Sequence, residues 1–191
     1  LHKAIRRQRQ MCIRDSRRGN LTLTNINGLC RIALDKLKKT YEQDIQEKNI
    51  RIVFDNLTLS LMMEVNVEQF SKVLAGILKN SMYALLKKSE TVTFSPEIFL
   101  GLKVNKDMLE ITIRDNGSGI DENIKDKIFA PFFTTKTTGE AAGVGLYLCR
   151  EIVQNHRGTI EVESKKGEYT QFLITIPVYQ PKTITPPKEE E

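Results

Sequence analysis

Along residues 26–49, Ile26, Leu29, Ile32, Ala33, Leu37, Tyr41 and Ile45 recur every three or four positions with charged residues between them. This spacing predicts a helix with one buried stripe. Ile50 to Phe54 reads as a strand, and an interrupted apolar run follows from Leu57 to Val65. Val67, Phe70, Val73, Leu74, Ile77, Leu78 and Leu85 then form a stronger helical stripe, with Asn66 placed as its N-cap. Residues 97–104 and 108–114 alternate apolar and polar side chains around Asn105-Lys106-Asp107, which predicts an antiparallel hairpin. Beyond it come a sharp loop at 115–119, a short helix near 121–128 and a loop-like stretch over 129–143. A helix is expected from about Gly145 to Arg157 with Gly158 as its αL cap, then a hairpin of 159–164 with 170–178. Helices grouped beside a mainly antiparallel sheet predict the α+β class: a two-layer sandwich with helices over one face of a mixed sheet.

The chain has 191 residues, 40% of them hydrophobic and 28% charged, enough for one domain with a core and few for two. A formal charge of +5 would suggest a nucleic-acid partner, but the excess is confined to one segment. Residues 1–19 hold seven Lys or Arg against the single acid Asp15, and the remainder holds 22 basic and 23 acidic residues. No nucleic-acid role is therefore expected. Within that basic segment, Met11-Cys12-Ile13-Arg14-Asp15-Ser16 reads like a translated sequencing-adapter end. A basic linker helix is the other reading, and residues 1–19 are given no function. The domain is placed at 20–178, with a disordered tail over 179–191, rich in Pro, Lys and Glu. No apolar run approaches the ~18 residues that cross a bilayer. Cys12, Cys30 and Cys149 form no CxxC pair, so a reducing, cytoplasmic setting is expected.

Four segments carry candidate chemistry. Asn80 projects from the apolar face of its helix, lying within about 20–60° of Val73 and Ile77 at 100° per residue. It is either a core amide bonded to backbone or an oxygen ligand for Mg²⁺, a hard cation that completes its shell with phosphate and water. The strand from Ile111 ends in Asp115-x-Gly117-x-Gly119-Ile120, whose glycines permit positive φ and close approach to a planar ligand. Asp115 could accept a hydrogen bond from an exocyclic amine such as that of adenine, or simply serve as a turn residue. Ile128-Phe129-Ala130-Pro131-Phe132-Phe133-Thr134-Thr135-Lys136 is a loop anchored by aromatics, and its lysine is either solvated or in reach of phosphate oxygens. Gly143-Val144-Gly145-Leu146 opens a helix whose N-terminal N–H groups suit a phosphate. No G-x-x-x-x-G-K-[ST] P-loop and no strand-linked G-x-G-x-x-G occurs.

Taken in order, an Asn helix, D-x-G-x-G-I, F-x-P-F-F-T-T-K and G-x-G-L resemble the N, G1, F and G2 boxes of sensor histidine kinases over about residues 22–178. That family belongs to the ATPase group shared with DNA gyrase, heat-shock chaperones and mismatch-repair proteins, and implies a Bergerat-type ATP-binding fold. By this resemblance Asn80 would bind Mg²⁺ at the ATP phosphates, and Asp115 would bond the adenine amino group beside Gly117, Gly119 and Ile120. Residues 121–142 would form a lid bringing Phe129, Thr135 and Lys136 to the nucleotide, with Lys136 and Asn80 in the catalytic roles. Gly143, Val144, Gly145 and Leu146 would meet the phosphates; Tyr83 and Ala84 would face the nucleotide and Thr170 would lie behind the adenine.

The resemblance further implies in-line transfer of the γ-phosphoryl group to a histidine nitrogen. The partners would be a histidine-bearing dimerisation domain and the receiver domain of a response regulator. The chain's two histidines fit the acceptor role poorly: His2 lies in the doubtful segment, and His156 reads as a capping residue at a helix end. Four departures from the family pattern leave room for weakened turnover. Gly76 replaces an Asn four residues before Asn80, Ala141-Ala142 a Gly-Thr pair, Arg157 the first of two glycines and Tyr169 a Gly. Two rivals remain. A water-activating relative would need a carboxylate on the Asn helix, and none lies between Glu68 and Glu90. A non-catalytic, ATP-responsive binding module is the alternative from another class.

Overall fold

The computed structural model describes residues 21–135 and 143–178. Strand β1 (Thr22–Asn25) leads into helix α1 (Ile26–Thr40), α2 (Glu42–Glu47), β2 (Arg51–Asp55) and β3 (Met62–Val65). The long helix α3 (Val67–Ser89) precedes the hairpin β4 (Glu97–Asn105) and β5 (Met108–Asp115). One turn of helix, α4 (Glu122–Lys125), then α5 (Gly145–Asn155) and the hairpin β6 (Thr159–Lys165) and β7 (Tyr169–Pro177) complete the chain.

Five strands form one sheet in the order β2-β4-β5-β7-β6, with β2 parallel to β4 and every other pair antiparallel. A separate two-stranded ladder joins β1 to β3. Strand alternation sorts the side chains. Leu109, Ile111, Ile113 and Asp115 of β5, with Thr170, Phe172, Ile174 and Ile176 of β7, point to the helices and are buried. Their neighbours, including Arg114 and Tyr169, occupy the opposite face, where the Arg114 guanidinium lies 4.3 Å over the Tyr169 ring. Helix α3 sits at the centre of the helical layer, in contact with α1, α5, β4 and β5, and its Phe70, Leu74, Ile77, Leu78 and Leu85 are fully buried.

The expected α+β two-layer sandwich is therefore the architecture, and the Asn66 cap is present, its side chain accepting from Gln69 N at 2.9 Å. Three local expectations are corrected. The helix expected over 26–49 breaks at Tyr41, which turns to φ −116° where its half-buried ring meets the core. Strand β1 went unseen because only four residues long, with Leu23 its sole large apolar side chain, it offers too little pattern to read. The αL residue after α5 is Arg157, at φ +60°, not Gly158. Gly158 serves a different need: a Cβ there would lie 2.4 Å from the Thr175 carbonyl oxygen, so only a glycine lets α5 turn this tightly onto β7.

The candidate nucleotide site

Helix α3, the loop after β5 and the last hairpin converge on a cavity of 460 Å³. Twelve of the fifteen residues nominated from sequence line it: Asn80, Tyr83, Ala84, Asp115, Gly119, Ile120, Thr135, Gly143, Val144, Gly145, Leu146 and Thr170. Gly117 and Phe129 do not, and Lys136 lies outside the described residues, as do Ala141 and Ala142. Gly117 is packed against the helix instead: a Cβ would stand 2.7 Å from the Ala84 backbone and Cβ. Phe129 turns inward to Phe172, ring centroids 6.3 Å apart, while Arg150 lies 5.8 Å over its other side. Ile128 and Phe133 line the cavity in its place.

The floor is polar and buried. Asp115 ends the inward-facing row of β5, opposite Thr170 in register, and only 2% of it is exposed. Its Oδ1 accepts from Gly117 N at 3.0 Å. Burial pushes its carboxyl up to about 6, against the opposing effects of Ser81, the Gly117 N–H and the Lys88 ammonium. A second network fixes Thr170. The Ser164 hydroxyl donates to Tyr169 O at 2.6 Å and accepts from Ile120 N at 2.8 Å. Its one proton is thus committed, so the 3.2 Å contact with Thr170 Oγ1 has Thr170 as donor. The lone pairs of Thr170 are left toward the cavity.

The loop after β5 is clamped from three sides. Ser118 N donates to Ala84 O at 3.1 Å, Gly167 N to Ser118 O at 2.7 Å, and Lys88 Nζ to Asn116 O at 2.8 Å. Gly119 meets two demands at once, φ +64° and a Cβ position 2.2 Å from Lys165 O. At the other end of the cavity the glycines divide. Gly143, at φ +68°, is required by the fold, since a Cβ would lie 2.5 Å from the Phe132 carbonyl carbon. Gly145 is less constrained: among the described residues a Cβ there would meet nothing within 4 Å. It opens α5, whose N-cap residue Val144 makes no side-chain cap bond, and Val144, Gly145 and Leu146 lie on the cavity wall.

Helix α5 is held against α3 at two points. Cys149 Sγ stands 3.8 Å from Val73 O and would be 3.2 Å from a Cβ on residue 76. A glycine at position 76 therefore allows the approach of α5. His156 closes the far end, accepting from Asn66 N at 3.0 Å through Nε2 and meeting Ile152 O at 2.8 Å through Nδ1. These contacts assign its proton to Nδ1 and make it a tie between two helices. Burial pushes the thiols of Cys30 and Cys149 up to about 12 and about 11, which removes both as nucleophiles. Tyr169 projects away from the cavity, its hydroxyl bonded to Glu163.

Sequence reasoning left out Ser118, Ile124, Ile128, Phe133, Thr134 and Phe172, and the polar rim of Lys87, Asp121 and Lys166. Phe172 was legible as the residue two beyond Thr170 on one strand face, and Lys87 as two turns beyond Asn80. Lys166 carried no local signal; its Nζ reaches the cavity through Asp121 Oδ2, 2.7 Å away, across 45 residues of chain.

Residues 66–180 match the family of histidine kinase-, DNA gyrase B- and HSP90-like ATPases, and the chain belongs to that family. It is similar to cyanobacterial phytochrome A of Nostoc sp. (strain PCC 7120), 35% identical over 149 residues, 76% of this chain and 18% of that protein. It is also similar to the sensor histidine kinase ZraS of Salmonella typhi, 28% identical over 158 residues, 83% of this chain and 31% of that one. The chain thus spans less than a third of either relative's length. Among solved structures it resembles the catalytic domain of histidine kinase ThkA, with 28% identity and a TM-score of 0.67 over 83% of this chain and 95% of that one. ThkA has also been solved in complex with the response regulator protein TrrA, where the TM-score is 0.63 at 26% identity, over 83% of this chain and 42% of that one. The fold and motifs are those of the ATP-binding catalytic domain of two-component sensor kinases. Among the described residues no helix is long and apolar enough to cross a membrane.

Proposed function

We propose that residues 20–178 bind ATP in this cavity and transfer its γ-phosphoryl group to a histidine on a dimerisation domain outside this chain, from which it passes to a response regulator receiver domain. The observation that carries this reading is the polarity of this cavity. A buried carboxylate and a hydroxyl acceptor stand at one end, and a glycine with room to spare opens a helix N-terminus at the other. Asp115 accepts the exocyclic amine of adenine, and Ile120, Ile128, Phe133 and Phe172 exclude water from the base. Gly145 and the first-turn N–H groups of α5 meet the phosphates, where the helix dipole favours negative charge.

Asn80, half-buried on the cavity wall, fits Mg²⁺ as a single neutral oxygen donor. Among the described residues no group of three or more His, Cys, Asp or Glu offers a fuller set, so phosphate and water would supply the rest. The metal's contribution would be to neutralise phosphate charge. Among the described residues, the carboxylates at the site agree with the choice of acceptor. Asp115 is committed to the floor and Asp121 to Lys166, and α3 carries no carboxylate between Glu68 and Glu90 that could activate water. A neutral imidazole brings its own lone pair and needs no base. The domain is read as facing the cytoplasm.

The test is calorimetric titration with ATP, with and without Mg²⁺, followed by transfer of labelled phosphate to a separately supplied dimerisation domain. Asn80→Ala is expected to lose the Mg²⁺-dependent gain in affinity, about tenfold, while binding in chelator is unchanged. Tight binding without transfer at any Mg²⁺ concentration would leave an ATP-responsive module in place of a kinase.

A further inference from the structure

The two edges of the sheet are built differently. Strand β6 ends it on one side with Glu161, Glu163 and Lys165 exposed along its length, charges that discourage another strand from pairing. Strand β2 ends it on the other side, and there the charges stand only at the two ends, Arg51 and Asp55, around the half-buried run Ile52-Val53-Phe54. Arg51 N donates to Pro96 O at 2.9 Å, so in this parallel ladder residues 51, 53 and 55 turn their backbone groups to β4. The N–H and C=O groups of Ile52 and Phe54 therefore point off the edge, where among the described residues no strand pairs with them.

Strand β2 is complementary to itself. Laid antiparallel to a second copy about Val53, Ile52 exchanges both backbone bonds with Phe54 of the copy, and Phe54 with Ile52 of the copy. Val53 then meets Val53 at the centre, and Arg51 meets Asp55 at each end. A slip of one residue misplaces the backbone bonds, and a slip of two sets a charge against Val53. The register that satisfies the free backbone groups is thus the one that joins opposite charges. Arg51 is largely exposed and pairs with Glu97 as well, and its guanidinium has donors for both carboxylates.

The inner face of the sheet favours the same arrangement. Ile52 points inward, in register with the fully buried Ile98, and beside it lies a second cavity, of 500 Å³. Ile45 and Ile50 line that cavity with Lys38, Lys39 and Glu42, and the nucleotide site uses none of them. The antiparallel register sets Phe54 of the copy opposite Ile52, next to this apolar hollow. We propose that the free edge of β2 is a self-association surface: two copies of this chain pair antiparallel through Ile52-Val53-Phe54 about a two-fold axis at Val53, joining their sheets into one. Asp115, Thr170 and Phe172 of the candidate nucleotide cavity stand on β5 and β7, beyond β4 from this edge, so both cavities stay open in the pair. Five residues a side make a small contact, weak between free copies and effective where two copies are tethered together.

Sedimentation equilibrium of the full chain, up to the about 1 mM that a short tether supplies, tests the pairing, with thermal melts as the control for folding. Wild type is expected to form dimers. Val53→Lys sets two like charges against each other at the axis and should weaken association at least about tenfold. Arg51→Glu and Asp55→Arg each oppose like charges in a dimer of their own kind, and each alone should associate about tenfold more weakly. Mixed in equal amounts these two should recover the wild-type association, because both ends then join opposite charges. A wild type that stays monomeric throughout, or folded variants that dimerise like it, overturns the proposal. So does a mixture no stronger than its components, which would place any dimer on another surface.

Discussion

The two ends of the cavity are built on opposite principles. At the base end every recognition group is buried, and its orientation is set by a neighbour: Gly117 N for Asp115, Ser164 for Thr170, and Ala84 O and Gly167 N for the loop between them. At the proposed phosphate end, Thr134, Thr135 and Gly145 are exposed, and the N-cap of α5, Val144, makes no side-chain cap bond. The base end has been shaped before any ligand arrives, at a cost in stability. On the proposed reading, a shaped end and an exposed end would let a single domain hold a nucleotide while its reactive terminus stays accessible to a second protein.

The sharpest way to break this contrast is Asp115→Asn. The carboxyl sits at about 6 in the folded protein against an ordinary 3.8. Folding therefore favours the protonated form, and stability declines as pH rises from the ordinary value through the folded one. Above pH 6 the buried charge costs about 3 kcal/mol. Replacement by the neutral amide should lower ATP affinity about a hundredfold while raising stability at pH 7 by about 1–3 kcal/mol. Urea unfolding and calorimetry on the same preparation check both. If affinity and stability fall together, Asp115 is an ordinary core contact.

Gly145→Ala tests the other end, with a smaller effect. Since an added Cβ meets no atom of the described residues within 4 Å, stability should hold or rise slightly. ATP affinity should fall about fivefold, and adenosine affinity should not change, because the lost room is at the phosphates. An equal loss for adenosine would move Gly145 out of that role. The smallest effect is expected from Tyr169→Gly, which restores the family's usual residue: a change in ATP affinity under about twofold, measured by the same titration. A larger change would mean that the outer face of the sheet reaches the site.

The fold was legible where side chains repeat. The α3 stripe from Val67 to Leu85 and the alternation of β5 and β7 specify buried faces, and buried faces specify layers. Legibility failed where geometry comes from contact across the chain. Nothing near Arg157 says that it will adopt φ +60°, because the tight approach to Thr175 O falls on its neighbour Gly158. The site divides the same way. Asp115, Gly119, Gly143 and Gly145 lie on the cavity where the motifs placed them, while Thr170 was named only through the family resemblance. Phe129 misled because three aromatics in one loop cannot be ranked by spacing alone; Phe172, 43 residues on, decides which of them turns inward.

The placement of Tyr169 beside Thr170 bears on how such chains diverge. Two adjacent codons serve different constituencies: one residue faces the cavity, the other Glu163, Arg114 and solvent. Drift at the second is invisible to the first. A pattern written as a string of letters joins what the pleat of the strand has separated, so a mismatch inside a motif weighs against function only if it falls on the strand's inner face.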